Sequence, residues 1–294
     1  MIKEGGAGKR VFDILNTLFM ILVIIATAYP LYYVISASFS DPKTLSRTSS
    51  VLLWPLRPYT LKAYQRIFAN PNVLNGYKNT LYVLVFGVVI NIIMTSLGAY
   101  FLCLKNIRFG VVIMFFIVLT RYFSGGMIPS FINVKDLGLI DSLWALILPV
   151  AINTYNLIIM RTSFKAVPDS LIESAQLDGA RHFTILTRIM VPLCKATIAV
   201  LVLYYGVAHW NSWFSASIYL RSNAKWPLQL VMRDILLSTQ QSGAVGGAEL
   251  DELAEFAELI KYALIVIGTV PILVLYPFLQ KYFVQGVMIG AIKG

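Results

Sequence analysis

Residues 173–192 read ESAQLDGARHFTILTRIMVP. This polar, basic stretch, broken by a glycine, lies between two long apolar segments. Just upstream, VPDSLIESAQLDGA offers Ser170 as a helix N-cap with Glu173 three residues on, a capping box, behind Pro168 where a helix entry tolerates proline. Gly179 after Asp178 supplies the left-handed or breaker position that ends this helix. A second amphipathic helix follows, with Phe183, Ile185, Leu186 and Ile189 on its apolar side, and Pro192 closes it. The expected product is a hairpin of two short helices whose small residues Ser174, Ala175, Gly179 and Ala180 leave a low surface that another protein could approach closely. From the residues alone, an amphipathic loop resting on a membrane surface explains the stretch as well.

The flanks read as membrane spans. The chain of 294 residues is 58% hydrophobic and only 13% charged, with a mean hydropathy of +0.74, which lies outside soluble composition. Charge-free runs from Ile14 to Ser40, Asn79 to Leu104, Ser142 to Met160, Ala196 to Leu220 and Tyr262 to Gln280 each reach about the 20 residues that cross a hydrocarbon core. A sixth, from Phe109 to about Pro129, is interrupted only by Arg121. The expected fold class is therefore all-α, a polytopic membrane protein with six transmembrane helices near 12–38, 79–104, 109–130, 142–162, 195–219 and 260–281. These form one transmembrane domain over 1–294, with loops 41–78 and 221–258 on the outer side and 165–192 on the cytoplasmic side. What is left over is too little for a soluble domain of ordinary size.

The first apolar run exceeds a signal-peptide core and ends in YPLYYVISASF rather than a small-residue cleavage site, so it reads as retained. Lys and Arg divide evenly between the two sides, but orientation is set by short loops near span ends. Lys3, Lys9 and Arg10, the 105–108 turn, the hairpin with Arg161, Lys165, Arg181, Arg188 and Lys195, and Lys281 then fall on one side. Both termini are expected in the cytoplasm. The net charge of +10 reports contact with lipid headgroups, and no nucleic-acid motif accompanies it.

Segment 41–78 has prolines at 42, 55, 58 and 71 and a short amphipathic run, Leu61 to Phe68, expected as a small interfacial helix. Segment 221–261 passes from RSNAKWPLQLVMRDILL through STQQSGAVGGAEL to DELAEFAELIK, a loop able to order on a partner. The chain has no internal repeat, which counts against a secondary carrier or channel. EGGAGKR places Lys3 where a phosphate-binding loop needs glycine and Arg10 where it needs Ser or Thr, so no nucleotide site is expected. Cys103, Cys194, His182 and His209 have neither disulfide context nor metal-ligand spacing. No nucleophile–base set or carboxylate pair points to an enzyme.

A charge inside the membrane costs on the order of 3 kcal/mol and is a functional candidate. Arg121 is that residue here; it either snorkels to the outer boundary or faces a pore and meets a carboxylate. YYGVAHWNSWF gathers Tyr205, His209, Trp210, Asn211 and Trp213, a mix that suits sugars, although an interfacial aromatic belt explains the tryptophans too. Asn153 and Asn156 stand three apart, as pore lining or as polar glue between helices.

With Glu173, Ser174, Ala175, Gly179 and then Ile189, Met190, Val191, Pro192 in place, the opening stretch resembles the EAA loop of binding-protein-dependent ABC importer permeases, Ser and Val replacing the usual Ala and Leu. SFSDPKTL, YTLKAYQRIF, YFSGGMIPSFINVKDLGLIDSLWALILP, NLIIMRTSF, HWNSWFSASIYL, WPLQLVMRDIL and QKYFVQGVMIGAIKG resemble segments of the MalG-like carbohydrate permeases, and among them the LplC-type group that handles larger or acidic oligosaccharides. The resemblance implies a type I ABC importer permease in the bacterial cytoplasmic membrane. It implies a second, homologous permease as heterodimer partner, two ATPase subunits that carry ATP and Mg, an external solute-binding protein, and no cofactor on this chain. Substrates would be oligosaccharides, with alginate- or pectin-like uronides and neutral maltose-like sugars as the alternatives. By position, Glu173 would contact a basic residue of the ATPase and Gly179 would make the turn, with Ser174, Ala175, Asp178 and Ala180 completing the coupling surface.

Overall fold

The structure is a computed structural model and describes residues 7–47, 52–104, 108–242, 256–274 and 277. The glycine-rich stretch of 243–250, the acidic start of DELAEFAELIK, most of the 105–108 turn, Lys3 and the C-terminal QKYFVQGVMIGAIKG lie outside the described residues. Helices run in the order α1 (Ala7–Ser38), α2 (Pro42–Arg47), α3 (Lys62–Ala69), α4 (Pro71–Phe101), α5 (Gly110–Tyr122), α6 (Met127–Asp136), α7 (Thr154–Lys165), α8 (Asp169–Leu177), α9 (His182–Ile185), α10 (Val191–Leu193), α11 (Lys195–Trp210), α12 (Trp213–Tyr219), α13 (Leu228–Ser242) and α14 (Phe256–Val274). α1, α4 and α14 are each long and apolar enough to cross a membrane, and with each of three bent pairs counted as one span the candidates among the described residues number up to 6. The chain forms two compact units, Met1–Asn70 with Asp234–Thr269 and Pro71–Arg233 with Val270–Gly294.

In the first unit α1 presents apolar side chains all round, and its most apolar window is 0% buried. Near its C-terminal end, Ala37 packs with Leu45 and Leu52 against Tyr33, Leu56 and Tyr262. Ser40 accepts a bond from the Leu56 N–H at 2.9 Å and donates to the Ser36 carbonyl at 2.8 Å, pinning the chain where it leaves the helix. The amphipathic run expected at 61–68 is α3, which buries Ala63 and Ile67.

In the second unit α4 is the central post, packed on α7 and α11. It begins at Pro71, eight residues before the sequence expectation of 79, so 71–78 is helical and continuous with the expected span. Proline is at home at a first helical position, where its missing N–H would be unpaired anyway. The buried stripe of α4 is Val73, Gly76, Thr80, Val83, Gly87, Asn91, Thr95 and Ala99, small or polar at nearly every turn, which lets neighbouring backbones come close. In its N-terminal part Asn79 donates to the carbonyls of Ala224 and Trp226, and Thr80 accepts from the Leu228 N–H at 2.8 Å.

Three expected spans are broken rather than straight. The 109–130 span is α5 followed by α6 at 114°. Phe123-Ser124-Gly125-Gly126 separates them, with Gly126 at φ +87°, a region that glycine enters without steric cost. The 142–162 span starts as two 3-10 turns, Leu143–Leu146 and Leu148–Val150, and then bends 50° into α7. The 195–219 span is α11, a turn at Asn211 and Ser212, and α12. Two cores fill the unit. An inner one centres on Leu157, Met160, Phe164, Ile185 and Met190; an outer one joins Val83, Ile147, Ala216 and Leu230.

Candidate functional site

The hairpin read from the sequence is present, with three corrections. α8 begins at Asp169 and its N-cap is Pro168, which makes no side-chain cap bond, so Ser170 sits inside the first turn and the capping box is not formed. Asp169 places a negative charge in that turn, where the helix dipole favours it. The C-terminal end follows the expectation: Gly179 stands at φ +79°, its N–H donates to the Gln176 carbonyl at 3.0 Å, and the Ala180 N–H reaches back to Ala175 at 2.9 Å. This is the paired 6→1 and 5→2 closure of a Schellman motif.

The second correction concerns Pro192. The helix passes through it: α9 leads into a π-helical turn, Leu186–Met190, then α10, and the chain bends by 85° only at Cys194. The Val191 N–H bonds the Leu186 carbonyl, five residues back, and Pro192 comes at the second position of the fresh segment, where the absent N–H costs little. Ile172, Ala175, Ala180, Ile185, Leu186, Ile189 and Met190 face the inner core. Phe183, expected on that face, is 70% exposed, and Leu177 is 90% exposed. Glu173, Ser174, Asp178 and Gly179 are likewise exposed. Tyr100 of α4 ties the hairpin down through a 2.9 Å bond to His182 Nδ1.

At the opposite ends of α7 and α11 lies a cavity of about 730 Å³, within the range of ligand sites. Of the side chains expected on a substrate path, Arg121, Asn153, Asn156, Tyr205, His209 and Asn211 all line it; Trp210 and Trp213 do not. Trp210 is buried, and Trp213 lies under the Arg233 guanidinium at 4.3 Å, a cation–π contact. Arg121 precedes the break between α5 and α6. It occupies the last turn of α5, exposed at the cavity edge, and the Thr120–Thr154 hydroxyl contact at 3.2 Å sets that turn beside the start of α7. Asn153 caps α7, its carbonyl accepting from the N–H groups of Tyr155 and Asn156 at 3.0 and 3.2 Å. Asn156 is buried, and Asn211 bonds back to the Val207 carbonyl.

Among the lining residues that were missed are two stacked tyrosines. Tyr155 and Tyr204, 51% and 40% exposed, stack with ring centres 6.5 Å apart and 30° between planes. The signal was available in NTYN, residues 153–156, a polar and aromatic word inside an otherwise apolar run.

Above the cavity, in the loop between α6 and the first 3-10 turn, Asp141 gathers five donations. Arg221 and Ser222 give backbone N–H bonds at 3.0 Å each, the Ser222 hydroxyl one at 2.7 Å, and Lys225 bonds both the carboxylate, at 2.9 Å, and the Asp141 carbonyl. The Ser222 N–H and hydroxyl, then Lys225, hold the carboxyl well below the usual carboxylate range. A carboxylate depressed in the fold stabilises it above the unfolded value of about 3.9 and loses that contribution as pH falls towards the folded one. The protection of the Arg221 and Ser222 amides against exchange, relative to the intrinsic rate at each pH, is therefore expected to fall selectively in acid, and Asp141→Ala to remove it at every pH; protection that persists in the variant at neutral pH would show that the carboxylate does not hold the loop.

Residues 104–289 match the family described as binding-protein-dependent transport system inner membrane component. Protein LplC of Bacillus subtilis (strain 168) is 39% identical over 285 residues, covering 97% of this chain and 96% of that protein. The polygalacturonan/rhamnogalacturonan transport system permease protein YtcP of the same organism is 38% identical over 290 residues, covering 97% and 99%. A chain in the crystal structure of a bacterial ABC transporter involved in the import of the acidic polysaccharide alginate shares the fold at a TM-score of 0.83, with 31% identity over 96% of this chain and 99% of that one. The six candidate spans, the hairpin between the fourth and fifth, and these matches together place the chain in the family of binding-protein-dependent transport system inner membrane components, the permeases of ABC importers, a transport component rather than an enzyme.

Proposed function

We propose that this chain is one of the two permeases of an ATP-driven importer of acidic oligosaccharides, and that the cavity at the ends of α7 and α11 is its share of the substrate path. The observation that carries the reading is the placement of Arg121 at the edge of a cavity that also presents the stacked Tyr155 and Tyr204 rings and the Asn211 amide. Aromatic faces take the apolar faces of sugar rings, and a guanidinium pairs with a carboxylate through two parallel bonds. Polygalacturonan is by its name a uronic acid chain, and the structural neighbour imports an acidic polysaccharide, which supports a carboxylated cargo.

The work comes from elsewhere in the complex. Two ATPase subunits hold ATP and Mg, a second homologous permease completes the path, and an external solute-binding protein delivers the sugar. The hairpin is the docking lever: α8 offers Glu173, Ser174, Asp178 and the Gly179 turn, with Leu177 beside them, to the ATPase. Arg161, Lys165, Arg181, Arg188 and Lys195 flank it in the sequence, which by the positive-inside rule supports a cytoplasmic position for this end and for both termini.

The test is uptake by the reconstituted importer. Arg121→Gln removes a charge-assisted pair, which is worth about 1.5–3 kcal/mol, so uptake of a uronate oligosaccharide should fall about ten- to a hundredfold. Uptake of the carboxyl-reduced analogue of the same chain should change little. Equal loss for both would remove the carboxylate-binding role and leave Arg121 as a structural group.

A further inference from the structure

Span four is broken on the floor of the cavity, and the break is held by side chains from two other spans. Asn91 of α4 donates its amide N–H groups to the carbonyls of Val150 and Ala151 at 2.7 and 3.0 Å. Carbonyls only accept, so the Asn91 oxygen is left to accept from His209 Nε2 of α11 at 2.7 Å, which puts the imidazole proton on Nε2. On the other side of the break the Asn153 N–H donates to the Tyr205 hydroxyl at 3.0 Å, and that hydroxyl shares a 2.8 Å bond with Thr95. All four of these side chains are buried. The His209 ring rests on the bare backbone of Gly87, where an added Cβ would stand 2.5 Å from Nε2.

An interrupted helix within a membrane protein must have its freed backbone groups satisfied by neighbours. Here the satisfaction also joins moving parts. α7 runs 12 residues and α11 16 residues from the break towards the hairpin, about 18 and 24 Å at helical rise. Near the hairpin they are tied again through the Ser163–Thr197 hydroxyl contact at 2.9 Å.

We propose that Asn91, Thr95, Tyr205 and His209 form a polar clasp that locks the break in span four to spans two and five, so that α7 and α11 carry the motion of the hairpin to the cavity as one body. They are positioning residues for transport and do not select the sugar. The inference rests on reading the cavity as part of the substrate path, but not on the charge of the cargo.

The experiment measures ATP hydrolysed per sugar imported by the complete transporter in liposomes, for Tyr205→Phe, His209→Leu, His209→Gln and Gly87→Ala, with assembly checked by co-purification of the subunits. Tyr205→Phe keeps the ring and removes one hydroxyl, and is expected to raise the ratio about fivefold, the equivalent of one lost hydrogen bond. His209→Leu and Gly87→Ala should do the same, because each separates Nε2 from Asn91. His209→Gln, which returns an N–H near that place, should restore the ratio. A ratio unchanged in Tyr205→Phe and His209→Leu overturns the clasp, as does a proportional fall in hydrolysis and uptake, which is the mark of lost complex. A loss confined to uronates in Tyr205→Phe would also overturn it, by assigning the hydroxyl to substrate. The failure of the Arg121 selectivity would leave the ratio test untouched.

Discussion

An importer carrying Glu173→Lys is expected to assemble in the membrane at the normal level and to hydrolyse ATP with no response to the loaded solute-binding protein. The substitution reverses a charge on the exposed side of α8 and leaves the inward residues Ile172 and Ala175 untouched. Where such a group pairs across an interface, loss of the partner costs about 2–5 kcal/mol, which weakens docking by about thirtyfold or more. Gly179→Leu reaches the same end by another route. No atom lies within 4 Å of the position a Cβ would take, so space is not the obstacle. The obstacle is φ +79°, which costs a side-chain-bearing residue about 1–2 kcal/mol. Gly179→Asn, which tolerates that conformation, should keep most of the response. Stimulation at the ordinary level in Glu173→Lys would remove this residue from the docking surface.

The second large effect is on stability. Phe164 is 1% exposed and sits in the inner core with Leu157, Met160, Ile185 and Met190. Phe164→Ala leaves a void the surrounding helices only partly fill, and such truncations cost about 3–5 kcal/mol. Because the same core backs the hairpin, thermal unfolding of the purified chain in detergent should move down, and amide exchange in α9 should rise with it. Phe183→Ala is the control. Its ring is exposed, so it should leave unfolding within about 0.5 kcal/mol of the parent while weakening association with the ATPase. Equal destabilisation by both would mean that Phe183 packs in a way this fold does not provide.

Much of this architecture was legible because the hydrocarbon core imposes a length. The uncharged runs picked out helices apolar enough to be candidate spans, and Gly179 was readable as a helix stop because few other residues take a positive φ. The breaks were less legible. Gly125-Gly126 and Pro149 are visible as letters, yet a window of about 20 apolar residues scores a bent pair and a straight helix alike. The stripe of α4 was hidden for a related reason. Inside a membrane the apolar side faces lipid, and the side facing protein is Gly76, Thr80, Gly87, Asn91 and Thr95, so hydrophobic periodicity points away from the core. Asn91 was therefore not singled out, although it meets span four and span five at once. Tyr205 and His209 were found as polar residues in an apolar segment, but their partners depend on which helices meet, and local sequence does not carry that. Pro192 looked like a stop because a proline inside an α-helix is one. A wider turn in front of it removed the conflict.

That wider turn also sets a phase. An α-helix advances about 100° per residue, and the π-helical turn at Leu186–Met190 absorbs one residue without advancing the helix by that amount. A helical wheel drawn without interruption from His182 is thus out of step by one position at Pro192 and Leu193, and the 85° bend at Cys194 interrupts the phase again before Tyr205 and His209. The two ends of this segment, one anchored to Tyr100 and the other to Asn91 and Thr95, address the same helix across two interruptions, the surplus residue of the wide turn and the bend at Cys194.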